Sequence, residues 1–97
     1  MNNYIVYGIV SSINPTPSDM GDRFILSNTS SSSIYSAKNN CIVHAGGTPS
    51  NPKWVYETPE YGDTAQVIKE VNNQMTATLY KYSSVNGWEL ITTYQLV

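Results

Sequence analysis

Ninety-seven residues, 12% of them charged and summing to a net charge of −2, leave room for one small domain and exclude an electrostatic grip on nucleic acid. The five cations (Arg23, Lys38, Lys53, Lys69, Lys81) are scattered, so serine, threonine and asparagine must build the polar surface. No run approaches the roughly 20 apolar residues of a membrane helix, and Met1-Asn2-Asn3-Tyr4 lacks the basic start of a signal peptide, so the expectation is a soluble product made in the cytoplasm.

Along the chain the hydrophobic period is two, and β-branched and aromatic residues dominate the apolar segments. Tyr4 to Val10 reads as a strand broken by Gly8, and Pro15 and Pro17 close what precedes them, since proline gives no N–H to a ladder. Asp22 to Ser27 is a short strand opened by Gly21. Asn28 to Ser33 is a polar loop with nothing to bury. Ile34-Tyr35 and Cys41 to Ala45 are short strands around the Asn39-Asn40 turn signal, and Ala45 to Pro52 (AGGTPSNP) reads as a loop.

Lys53 to Thr58 and Thr64 to Val71 read as a hairpin cornered by Pro59 and Gly62, with Trp54, Tyr56, Ala65 and Val67 on its inward or interface side. Asn72-Asn73 marks the next turn. Ala77 to Tyr82 alternates, with Ala77, Leu79 and Lys81 on one face and Thr78, Tyr80 and Tyr82 on the other. Asn86-Gly87 is a type I′ hairpin signal leading into Trp88, Leu90, Thr92 and Tyr94 on one face. Some seven short strands with turns between them predict an all-β fold, a small antiparallel sandwich or barrel. Both end strands carry more apolar surface than a half-solvated edge tolerates, which predicts central pairing or burial against another subunit.

The ordered series Pro17, Gly21-Asp22-Arg23-Phe24-Ile25-Leu26, Asn40-Cys41-Ile42-Val43, Trp54-Val55-Tyr56-Glu57-Thr58-Pro59, Gly62, Ala65, Val67, Leu79-Tyr80-Lys81-Tyr82 and Gly87-Trp88 resembles a small β-domain of unknown function that recurs in phage tail and fibre proteins. Val71-Asn72-Asn73-Gln74 stands where that pattern carries acids before Leu-Tyr. The resemblance divides the single domain, 1–97, into an added N-terminal strand (1–14), a module (17–90) and a C-terminal strand extension (91–97). It implies a non-enzymatic virion component, a head or tail fibre or decoration subunit, homo-oligomeric and attached to larger virion proteins. It also retains Asp22-Arg23, read as a structural pair pinning the Gly21 turn.

Acids and rings together at 53–67 raise the question of a glycosidase. Glu57 falls on the strand face opposite Trp54 and Tyr56, and Glu60 and Asp63 flank a turn where acids are expected, so these carboxylates read as serving the turn and solvent. His44 reads as a loop-edge histidine, and Cys41 as a small buried hydrophobe without a disulfide partner. Neither a metal nor a cofactor is expected. Gly21, Asp22, Arg23, Trp54, Tyr56, Pro59, Gly62, Gly87 and Trp88 are the expected turn and core positions. Tyr4, Tyr7, Tyr61, Tyr80, Tyr82 and Tyr94 are the expected interface rings, since tyrosine offers a flat apolar body with a polar tip. The alternative function is a carbohydrate-binding module for bacterial surface glycans, with Tyr61, Tyr80 and Tyr82 stacking on sugar and the 28–33 or 45–52 loop as rim. A small enzyme or inhibitor is a third reading.

Overall fold

A computed structural model of the chain describes residues 2–30 and 35–96. These residues are all-β: β1 (Asn3–Val6), β2 (Gly8–Val10), β3 (Arg23–Leu26), β4 (Ile42–Thr48), β5 (Asn51–Glu57), β6 (Thr64–Val71), β7 (Gln74–Ser83) and β8 (Gly87–Leu96). One turn of 3-10 helix, Ser36–Lys38, is the only helical segment among them. The strands form two four-stranded sheets, ordered β1-β6-β7-β8 and β2-β3-β4-β5, and neither closes into a barrel. Two compact units carry them, one of Met1–Gly8 with Pro59–Val97 and the other of Ile9–Thr58.

In the first unit β1 runs parallel to β6, pairing Tyr4 with Ala65 and Val6 with Val67, and all four side chains are buried on the shared face. This is the one departure from antiparallel order among the registers described. The expected strand Tyr4–Val10 is therefore two strands in two different sheets, divided around Tyr7 and Gly8. Asn72 and Asn73 both take positive φ (52° and 64°) and close a two-residue β6–β7 hairpin, because asparagine tolerates the left-handed region that a type I′ turn requires.

The Asn86-Gly87 hairpin forms with a different turn. Only Gly87 has positive φ (71°), and Ser83 pairs with Gly87 across a three-residue loop. The reason is local: the Asn86 N–H donates to Ser83 Oγ (3.1 Å) and its side-chain amide to Glu89 Oε1 (3.3 Å), which stabilises the wider loop. Further along, Leu79 pairs with Thr92 but Tyr80 with Leu90, so Ile91 is an extra residue in a bulge. The bulge turns Thr92 and Tyr94 to the face opposite Trp88 and Leu90, so the expected four-residue stripe is split. Residues 91–96 continue the strand that begins at Gly87.

In the second unit, AGGTPSNP is mostly strand: β4 continues to Thr48, β5 begins at Asn51, and Gly46 and Gly47 pair with Lys53 and Pro52. The glycines serve close approach rather than a loop. A Cβ on Gly46 would stand 2.7 Å from Val55 Cγ2, and Gly47, at φ +78°, would place one 2.5 Å from the Asn51 carbonyl oxygen. Of the expected Ile34-Tyr35 strand, Ile34 lies outside the described residues, as do 31–33 of the serine loop. Tyr35 caps the 3-10 turn instead, with its ring buried against Leu26 and Val43. Val10, Ile13, Phe24, Trp54 and Tyr56 pack around that cluster, while Ile25 and Ile42 are buried on the opposite face of the same sheet. β5 pairs only with β4 and β6 with β1 and β7, so the 53–67 segment is a passage between sheets rather than a hairpin.

Truncating Leu26 to alanine leaves a cavity in the Leu26–Tyr35–Val43 cluster and is expected to cost about 2–5 kcal/mol in chemical denaturation. Gly47→Ala is expected to lower the melting temperature too, because the added methyl meets backbone at a φ that alanine resists.

Candidate functional site

The 57–63 corner starts with three carboxylates in different settings. Asp63 is fully buried (0% exposed) and spends both oxygens on backbone donors: the Asn2 N–H at 2.8 Å and the Glu60 N–H at 2.9 Å. Its own N–H donates to the Glu60 carbonyl (3.0 Å), and its carbonyl accepts from the Tyr82 N–H (2.9 Å). Gly62, at φ 88°, donates to the Tyr82 carbonyl (3.1 Å), beside a buried Pro59. Asp63 therefore does not serve solvent, as its turn position suggested. It is a fully engaged structural brace. Glu60 is exposed, and Glu57 ends β5 with Oε1 3.7 Å from His44 Nδ1, beyond hydrogen-bond range.

His44 itself is not at a loop edge. It sits inside β4 opposite Arg23 and Val55, and its Nδ1 is buried without a hydrogen-bond partner among the described residues. Among those residues no ion pair joins Asp22 to Arg23. The Gly21 turn is held instead by Asp19, whose carboxylate accepts the Gly21 N–H (2.8 Å) and whose carbonyl accepts the Asp22 N–H (3.0 Å). That leaves the Asp22 carboxylate facing Ser18 Oγ (3.5 Å). Cys41 is buried, and no group of three or more metal-ligating side chains exists among the described residues. Burial, with Tyr35 and Cys41 nearby, raises the Tyr56 phenol above its usual pKa, so it stays neutral.

The expected interface tyrosines are not one surface. Tyr4 is buried in β1, and Tyr7 is exposed between β1 and β2. Tyr80 and Tyr82 share a face of β7 with Leu90 and Trp88 across from them, and the Tyr82 and Trp88 rings meet at 5.4 Å. Tyr94, beyond the bulge, points to the other face. Tyr61, 76% exposed, joins Lys81, Tyr82, Ser83, Glu89 and Ile91 around a shallow groove of about 190 Å³.

Residue-type reasoning flagged one further feature without placing it at an edge, and missed another. One is the outer edge of β8, ten residues long at the rim of its sheet, with Leu90 62%, Ile91 55%, Tyr94 39% and Leu96 40% exposed. It carries one charge, Glu89, and neither lysine nor proline, the usual guards of an exposed edge. The apolar excess of the C-terminal strand was the visible signal, but only the sheet order assigns it to an edge. The other is a cleft of about 270 Å³ in the second unit, where residues 12–18 lie across Phe24 and Trp54. Its signal was the polar, proline-bounded stretch before Gly21.

Asp63→Asn keeps the shape but replaces an acceptor oxygen with a donor, so one backbone N–H at the corner loses its partner. Chemical denaturation is expected to register a loss of about 1–3 kcal/mol, whereas Glu60→Gln, at an exposed side chain, is expected to be near neutral. No known protein family, curated protein or solved structure matches the chain.

Proposed function

We propose that the chain is a non-enzymatic structural subunit of a bacteriophage virion, a head or tail fibre or decoration protein that assembles with copies of itself on larger virion proteins. The observation that carries the assembly is the β8 edge: a long strand paired on one side only, with apolar side chains on both faces, which a solitary subunit would leave open to aggregation. The motif series quoted above supports the virion setting. A second copy is the fitting occupant on charge grounds. Antiparallel pairing of two β8 strands about Thr92 would hold the two Glu89 carboxylates roughly 20 Å apart, at about 3.4 Å per residue, beyond the ~8–10 Å screening length.

Light scattering of the purified chain is expected to give an oligomer, and Ile91→Lys, an exposed edge change, a monomer of unaltered strand content. An antibody to the chain is expected to label purified phage particles. A wild-type chain that stays monomeric at its highest soluble concentration sinks the assembly claim, and particles that lack the chain sink the virion claim.

A further inference from the structure

The cleft of the second unit is built from loop and ring together. Trp54 and Phe24 form its apolar wall, meeting edge-to-face with centroids 6.3 Å apart at 61°. Ser12, Thr16, Ser18 and Asp22 supply its polar rim. The indole Nε1 donates to the Asn14 carbonyl (2.7 Å), so the polar edge of Trp54 is already engaged and its contribution to the cleft is apolar ring surface. Tyr35 Oη donates to the Ile13 carbonyl (2.9 Å), and Pro15 and a buried Pro17 restrict the same loop. Loop ordering is thus made before any ligand arrives, which lowers the cost of binding.

From this geometry we infer that the cleft binds a single neutral sugar ring, with one face of the ring on Trp54 and its hydroxyls on Asp22 and the serine and threonine rim. Three observations select that ligand class. No lysine or arginine lines the cleft, so a phosphate, sulfate or acidic sugar would meet the Asp22 carboxylate without a countercharge. The Asp22 carboxylate has acceptor capacity beyond its long contact to Ser18, and paired acceptor oxygens suit neighbouring hydroxyl donors. The volume lies below the roughly 300–1,000 Å³ typical of drug-sized ligands, which admits one ring rather than an oligosaccharide. An open cleft with few charged contacts makes the affinity weak, with Kd on the order of millimolar. This site differs from the tyrosine surface expected from the sequence, and it does not depend on assembly through β8.

The chain has two tryptophans, so Trp88→Phe leaves Trp54 as the only indole reporter. Glucose, galactose and N-acetylglucosamine are titrated against its emission, with glucuronate as the charged control. The expected result is a saturable change with at least one neutral sugar and at least tenfold weaker binding of glucuronate. Asp22→Asn in the same background is expected to weaken the neutral sugar about tenfold without lowering the melting temperature. Backbone amide shifts of the wild-type chain are expected to map the same sugar to residues 12–18, 22, 24 and 54. No saturable response to any of the three sugars overturns the inference, as does undiminished binding by Asp22→Asn or a shift map centred on Tyr61 and Tyr82.

Discussion

A buried carboxylate at the end of a corner is what the first unit is organised around. Asp63 receives one backbone N–H from the corner it belongs to and another from Asn2, so a single side chain fixes both the turn and the entry of β1. Thr64 then donates its N–H to the Asn2 carbonyl, and the parallel register Asn3–Thr64 to Val6–Val67 follows. Parallel neighbours cannot be set by a short hairpin, so they need a constraint of another kind. Asp63 supplies it, because its buried carboxylate needs partners and takes them from the Asn2 and Glu60 N–H groups. The same corner reaches β7 through Gly62 and Tyr82, so the ladder on one side of β6 and the parallel strand on the other start from one place.

The consequences run to the opposite edge of that sheet. With β6 and β7 held between them, β1 and β8 become its two rims. β1 is short and sinks Tyr4 and Val6 inward, whereas β8 is long and leaves its apolar residues exposed. The Ile91 bulge is the one structural device on β8 that disturbs an incoming strand, and it also distributes apolar side chains to both faces. An edge of this kind favours a partner more than it favours a free monomer.

The second unit solves a different problem, the ordering of a loop that has little to bury. Residues 12–18 contribute mainly hydroxyls, amides and prolines, and two ring donors, Trp54 Nε1 and Tyr35 Oη, hold their backbone carbonyls in place. A tyrosine and a tryptophan therefore act here as hydrogen-bonding struts as well as core, which phenylalanine could not do. The cleft results from that arrangement: a rigid polar rim over an apolar wall.

Much of this was legible in the chain itself. Period-two patterning and β-branched composition determined the all-β class, Asn72-Asn73 and Asn86-Gly87 located the two hairpins of the first unit, and the burial of Cys41 followed from its apolar neighbours. These are local properties, readable because side-chain alternation and φ preference act over a few residues. What only tertiary structure decided was which strands became neighbours. It sent β5 and β6 to different sheets, set β1 parallel to β6, straightened AGGTPSNP into paired strands, and turned Asp63 from a turn acid into a buried brace. The neighbours of β1 and β6 and the role of Asp63 depend on groups far apart in sequence, Asn2 with Asp63 above all, whose meeting satisfies a buried carboxylate and follows from no local pattern.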